Sequence, residues 1–166
     1  MFNLFKKSSY CDILSPIDGI SLPLEEVSDP VFAQKMIGEG IAFRFEGEKI
    51  LSPLTGTVLL VAETRHAVGL KGANGVEVLL HVGVDTVELQ GRGLEVYVQS
   101  GAKIRVGEPL IRIDRRMMEK NHIDLTTMLV VTNGSGYQLE IAKPGVVKTC
   151  HSCDTLINPV KIENIP

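Results

Sequence analysis

Gly75-Val76-Glu77-Val78-Leu79-Leu80-His81-Val82-Gly83-Val84-Asp85-Thr86-Val87 is a Val- and Leu-rich run with one histidine at its centre. β-Branched and aliphatic side chains in such density suit a pleated strand covered on both sides. Side chains alternate along a strand, so Val76, Val78, Leu80, Val82 and Val84 share one face, which is the core face. His81 lies on the other face with Glu77, Leu79, Gly83 and Asp85, where Gly83 leaves room above the sheet.

Upstream, His66-Ala67-Val68-Gly69-Leu70-Lys71 is followed by Gly72-Ala73-Asn74-Gly75, a turn signal. If those four residues close a hairpin, Lys71 pairs with Val76, and stepping outward sets His66 directly opposite His81. Opposed residues share a face, with Cβ atoms roughly 5 Å apart. The expectation rests on loop length, because a slip of one residue changes every pair.

Two facing imidazoles support several chemistries. Each has an ordinary pKa of about 6.5, and two adjacent imidazolium ions repel. A neutral ring can attack through one nitrogen while its neighbour donates a hydrogen bond to an incoming anion, as a phosphoryl acceptor needs. The same pair is half of a zinc site, which needs two further ligands. It also fits two satisfied histidines on a half-buried sheet. Residues and spacing alone leave these alternatives open.

Outward from the hairpin, the chain reads as short strands with Gly and Pro between them. Ile13-Leu14-Ser15-Pro16-Ile17-Asp18-Gly19-Ile20 and Ile50-Leu51-Ser52-Pro53-Leu54-Thr55-Gly56-Thr57-Val58 repeat one pattern, an apolar strand, a Pro-x-x-Gly turn and a second strand. They read as a pseudo-symmetric pair within one fold. Ser28-Asp29-Pro30 predicts the capped start of a short helical turn. Further strands are predicted at Leu94–Val98, Gly101–Gly107, Leu110–Asp114 and Leu129–Asn133, with one or two helical turns at Arg115–Asn121. Strands recurring at such short intervals argue for an all-β antiparallel sandwich or barrel with short helical turns.

The 166 residues suffice for one domain with a substantial core. We expect a flexible tail at 1–12 and a single domain at 13–166. The net charge of −3, interspersed along the chain, gives no footprint for nucleic acid. No apolar run reaches the ~18–20 residues of a membrane helix, and Met1–Lys7 does not read as a signal peptide. Three cysteines without a secretory signal suit a reducing cytoplasm. Cys150-His151-Ser152-Cys153 has C-x-x-C spacing, but no second pair completes a zinc site, and the cysteines read as free thiols.

Gly75-x-x-Val78-Leu79-Leu80-His81-Val82-Gly83-Val84-x-Thr86-Val87 followed by Glu88-Leu89-x-Gly91-x-Gly93 resembles the signature of the glucose-type enzyme IIA of the bacterial phosphoenolpyruvate-dependent sugar phosphotransferase system. In the same order, Asp29-x-Val31-Phe32-Ala33-x-Lys35, Gly38-x-Gly40-Ile41-Ala42, Ser52-Pro53-x-x-Gly56-Thr57, Glu63-Thr64-x-His66-Ala67 and Gly101-x-x-x-x-Val106-Gly107 also resemble that family. The resemblance runs from about Ile13 to Asn133 and more loosely beyond. It implies a β-sandwich of the barrel-sandwich hybrid type and a cytoplasmic phosphotransferase component with no cofactor and no metal. Lipoyl and biotinyl carrier domains share the Pro-x-x-Gly turns, but Lys71 lacks the flanks of their modified lysine.

By the resemblance, His81 accepts a phosphoryl group from the carrier protein HPr and passes it to the IIB domain of a membrane sugar permease. His66 is implied to bond the phosphoryl oxygens, and Thr64, two residues earlier on the same strand face, to order the pair. Val31, Phe32 and Ile37 match an apolar docking rim, and Asp29 and Asp85 match carboxylates suited to a basic HPr surface. Helix capping for Asp29 and turn formation for Asp85 are the plain structural readings. Ala62 and Leu94 stand where the family often has aromatic residues, which implies a shallower rim. The final strands also depart from the family. The same face could instead serve a non-catalytic regulatory module whose docking to target proteins depends on phosphorylation of His81. The sequence is compatible with a free-standing IIA or a piece of a fused transporter, and it does not name the sugar.

Overall fold

The structure, a computed structural model, describes residues 12–149 and 155–165. The predicted tail up to Cys11 and the Cys150–Cys153 motif lie outside the described residues. Asp12 is inside them, and its carboxylate accepts a hydrogen bond from the Thr155 hydroxyl at 2.9 Å.

Among the described residues, thirteen strands form three antiparallel sheets. In chain order they are β1 (Gly19–Pro23), β2 (Glu39–Phe45), β3 (Lys49–Leu51), β4 (Gly56–Val61), β5 (Ala67–Gly72), β6 (Glu77–His81) and β7 (Leu94–Val96). They continue with β8 (Lys103–Ile104), β9 (Pro109–Ile113), β10 (Thr127–Val131), β11 (Tyr137–Ile141), β12 (Val146–Val147) and β13 (Ile157–Lys161). The helices are short, α1 (Pro30–Ala33) and α2 (Arg115–Lys120), with a few 3-10 turns. The largest sheet has eight strands in the order β12-β1-β2-β10-β6-β5-β4-β8 and is not closed into a barrel. The expected all-β antiparallel architecture is therefore present, as an open sandwich rather than a closed barrel.

The main core lies between the inner face of this sheet and the β3-β9-β7 sheet. Val68, Leu70, Val78 and Leu80 meet Ile50, Leu110, Ile111 and Ile113 there, all buried. Each such side chain contributes roughly 1.5–3 kcal/mol by leaving water. Leu94 is also in this core, so it plays no part in a docking rim. A second, smaller core covers part of the outer face, where Leu22, Leu24, Val27 and Phe32 pack on Ala42, Met128 and Val130. Burial on both faces explains why all of β10, Thr-Met-Leu-Val-Val, is apolar apart from one threonine.

The strand order is palindromic, and its hydrogen bonds repeat. Leu14 N–H donates to Pro53 O and Leu51 N–H donates to Pro16 O, both at 2.9 Å. Ser15 Oγ bonds Ile17 O, and Ser52 Oγ bonds Leu54 O, both at 2.6 Å. Ser21 N–H reaches Gly145 O as Val58 N–H reaches Ala102 O, each at 2.8 Å. The Thr149 amide is held by Asp18 where the Val106 amide is held by Thr55. The repeated Ser-Pro-x-x-Gly pattern is thus the hinge of a duplicated half-sheet, with β10 and β6 meeting at its centre.

The hairpin that carries the histidines departs from expectation by one residue. Gly72 N–H bonds Val76 O at 2.9 Å, so only Ala73, Asn74 and Gly75 form the loop. Gly75, at φ 84°, takes the left-handed position that such a turn requires. Lys71 consequently pairs with Glu77, and Ala67, not His66, stands opposite His81. Lys71 lies within β5 rather than at the loop tip. Strand β6 ends at His81, short of the full apolar run, because Gly83 and Asp85 adopt left-handed φ of 73° and 58° and turn the chain into a 3-10 turn at Thr86–Leu89.

Candidate functional site

His81 is the last residue of β6, and the central position of that strand fixes its Cα between β5 and β10. Its ring lies on the outer face, as alternation requires. His66 arrives differently. Strict alternation from Ala67 would align it with Val82 and aim it at the main core. Instead the chain leaves β5 before His66, through a turn in which Arg65 N–H bonds Ala62 O and Arg65 takes φ 59°. His66 is freed from strand parity, and its carbonyl still accepts from Val82 N–H at 2.7 Å. The two imidazole rings meet edge to face, with centroids 4.8 Å apart and planes at 77°. The pair forms, although the register that suggested it does not.

The surroundings fix the rings. His81 Nδ1 lies 3.1 Å from Gly83 O. A carbonyl oxygen only accepts, so Nδ1 carries the proton, and Nε2 of the neutral ring keeps its lone pair. Burial pushes the His81 pKa down to about 4, the neighbouring His66 adds to this, and the Gly83 carbonyl and Asp29 partly oppose it. Burial also lowers the His66 pKa. Both rings are therefore neutral at pH 7. The Thr64 hydroxyl is 2.6 Å from His66 Nδ1, an especially short contact. Thr64 lies in the turn before β5 rather than on the strand, so it reaches His66 by local chain reversal.

Phe32 is brought in from the other half of the sheet. Helix α1 starts at Asp29, whose Oδ1 accepts from Val31 N–H at 3.0 Å, so the capping reading of Asp29 holds. Pro30 sits at the tolerated first position. The helix drops Phe32 into the second core at 3% exposure, with its ring 4.8 Å from that of His81 and tilted by 60°. Phe32 therefore lies beneath any docking surface and packs against the imidazole. Ile37 is half-buried against the same core, while Val31 remains 39% exposed. Asp85 is exposed in a left-handed conformation at the start of the turn that follows His81.

Two exposed apolar side chains escape the sequence reading. Met36, 70% exposed just after α1, and Val87, 50% exposed just after Asp85, are apolar side chains facing water on the segments that carry Phe32 and Gly83. Each follows within two residues of a left-handed position, Lys35 or Asp85, which periodicity does not reveal. Ala62 forms part of the turn before His66, its N–H bonded to Ala67 O. Among the described residues, no three His, Cys, Asp or Glu side chains converge as a metal site requires, and no helix is long and apolar enough to cross a membrane.

A β-sandwich that sets two neutral imidazoles edge to face in this way matches one family over residues 11–137, described as phosphoenolpyruvate-dependent sugar phosphotransferase system, EIIA 1. The chain belongs to that family and is a phosphotransferase component. As a phosphocarrier of the EIIA type, it receives a phosphoryl group from HPr and passes it to the IIB domain of a sugar permease. It is 43% identical over 134 residues to a glucose-specific EIIA component of Staphylococcus epidermidis, covering 78% of this chain and 81% of that one. It is 42% identical over 121 residues to the corresponding component of Staphylococcus aureus, covering 73% of each. Among solved structures, glucose permease IIA from Mycoplasma capricolum matches with a TM-score of 0.81 and 33% identity, over 95% of this chain and 98% of that one.

Proposed function

We propose that His81 Nε2 is the atom that carries the phosphoryl group. The observation that carries this reading is the Nδ1 contact with Gly83 O, which leaves the Nε2 lone pair as the nucleophile. The phosphorus of phospho-HPr lies between two ring nitrogens in line. The bond from phosphorus to Nε2 forms as the bond to the donor nitrogen breaks, and the donor nitrogen recovers its electron pair. Phospho-His81 keeps its Nδ1 proton, so the ring becomes a phosphoimidazolium whose charge the Gly83 carbonyl stabilises. On transfer to the IIB domain the ring departs as a neutral imidazole, a good leaving group.

His66 donates from Nε2 to the phosphoryl oxygens in this scheme. In this scheme the Thr64 hydroxyl, 2.6 Å from His66 Nδ1, is the donor, so that nitrogen is an acceptor and the proton sits on Nε2. Asp29 and Asp85 supply carboxylates at the edge of the site for a basic partner surface, and Val31, Met36 and Val87 supply apolar contact that excludes water from the labile P–N bond. Phe32 and Ile37 support that surface from below. The relatives named as glucose-specific make glucose the first sugar to test. The reading places the protein in the cytoplasm, with residues 13–166 acting as one phosphocarrier domain behind an N-terminal tail.

The test is labelling with phosphoenolpyruvate, the HPr kinase and HPr, then chase with a IIB domain. The label is expected to be acid-labile and base-stable. His81→Gln should abolish it, whereas His66→Gln should still label but donate at least about a hundredfold more slowly. Full labelling of His81→Gln would overturn the assignment.

A further inference from the structure

Thr86 is fully buried, and its hydroxyl donates to the carbonyl of Val82. A buried hydroxyl is costly unless bonded, and the bond made here falls on the segment that turns the chain immediately after His81. Three bonds converge on that segment. Val82 N–H holds the carbonyl of His66, Val82 O is held by Thr86, and Gly83 O meets Nδ1 of His81. The next amide, Val84 N–H, donates to Asp124 O at 2.8 Å. The Gly83–Val84 peptide is thus anchored at both its carbonyl and its amide. The Val82–Gly83 peptide before it is anchored through Thr86.

Gly83 joins those two peptide planes, and glycine resists rotation less than any other residue. Its φ of 73° and the space beside it admit no other side chain, since a Cβ there would lie 2.5 Å from Thr86 Cγ2 and 2.9 Å from Asp124 O. The Thr86 methyl therefore closes the space while its hydroxyl fixes the preceding peptide. Without that hydroxyl the Val82–Gly83 plane loses its anchor, and Gly83 O is then held only by the Val84 N–H bond to Asp124 O on its own peptide and by His81 Nδ1.

We propose that Thr86 is a positioning residue for phosphoryl transfer: by locking the Val82–Gly83 peptide it keeps the Gly83 carbonyl on His81 Nδ1 and so holds the ring with its proton on Nδ1 and its lone pair on Nε2. The inference rests on His81 being the acceptor. It deepens that reading by naming the group that sets which nitrogen reacts. The same lock serves both half-reactions, since the Nδ1 proton that leaves Nε2 free to attack also lets the ring depart neutral.

The experiment compares Thr86→Val, which removes the hydroxyl at nearly constant shape, with Thr86→Ser, which keeps it. Nitrogen NMR of the unphosphorylated protein reads the His81 tautomer, labelling from phospho-HPr reads the rate, and thermal unfolding reads stability. Thr86→Val should convert His81 from one tautomer to a mixture, slow labelling about tenfold and place part of the label on Nδ1. Thr86→Ser should restore all three. Should Thr86→Val not fold, Thr86→Cys, with a weaker donor in the same place, is read in the same way. A variant that melts earlier yet keeps a pure Nδ1–H ring and labels at the parent rate would reduce Thr86 to a structural residue, as would failure of Thr86→Ser to restore the tautomer. The tautomer measurement needs no phosphate, so it decides the role of Thr86 even if His81→Gln disproves the acceptor assignment.

Discussion

The two halves of the palindromic sheet share a scaffold and differ in what lies on their outer face. Following the registers, Phe43 stands opposite Ser21 as Leu70 stands opposite Val58, and Thr127 stands opposite Phe43 as Val78 stands opposite Leu70. Three residues further along each central strand come Val130 in one half and His81 in the other. Val130 is sealed beneath the segment that carries α1, whereas His81 sits where that cover ends. The cover of the first half is thus also a wall of the site in the second, through Phe32. A duplicated fold supplies two equivalent positions, and the asymmetry of the connections makes one of them a core valine and the other a half-buried imidazole.

If Phe32 is the bridge between the halves, removing it should disturb both. Phe32→Ala should cost about 3–5 kcal/mol, read by denaturant unfolding, and should let the His81 pKa rise toward its ordinary value as water reaches the ring. An unchanged His81 titration in the folded variant would mean that burial from elsewhere depresses the pKa, and the bridge would be broken.

Acid should reveal the difference between His81 and Val130. The folded protein keeps the ring neutral down to about pH 4, whereas the unfolded chain binds a proton near 6.5. Between those values the unfolded state holds more protons, so stability rises with pH across this window and is lost as pH falls through it. The lost stability is about 3 kcal/mol, with His66 adding in the same direction. His81→Gln should flatten the slope of unfolding free energy between pH 4 and 6.5, and a slope that persists unchanged would assign it to other groups.

The symmetric elements predict the smallest effects and should give equal ones. Ser15→Ala and Ser52→Ala each remove a buried hydroxyl bond of the same length from equivalent turns. Each should cost about 1 kcal/mol, without changing labelling at His81. Clearly unequal melting shifts would show that the duplication in hydrogen bonding is not a duplication in energy.

Much of this was legible in the chain. The alternating run at Val76–Val82 identified the core face because period-2 patterning survives wherever one face is buried, whereas Val84, beyond the left-handed Gly83, packs on the second core instead. The Ser-Pro-x-x-Gly repeat announced the pseudo-symmetry, and Asp29-Pro30 announced the start of α1, because caps and turns are chemistry within a few residues. The register differs from the sequence expectation by one residue. A loop rich in Gly and Asn signals reversal without saying whether Gly72 belongs to the loop or to the ladder. Phe32 reads as a rim residue in the sequence, because an aromatic beside a functional motif looks alike whether it faces a partner or the imidazole.

The sequence by itself determined that strands of a given polarity would form, that two histidines would lie at one end of a hairpin, and which family the chain resembles, since these depend on local patterning and short spacings. Tertiary structure decided that the rings touch. His66 escapes strand parity through the left-handed Arg65, and His81 is clamped by a carbonyl two residues ahead and by a phenylalanine from the opposite half of the sheet. Only folding makes those contacts and removes the water that would otherwise keep the imidazoles at their ordinary pKa.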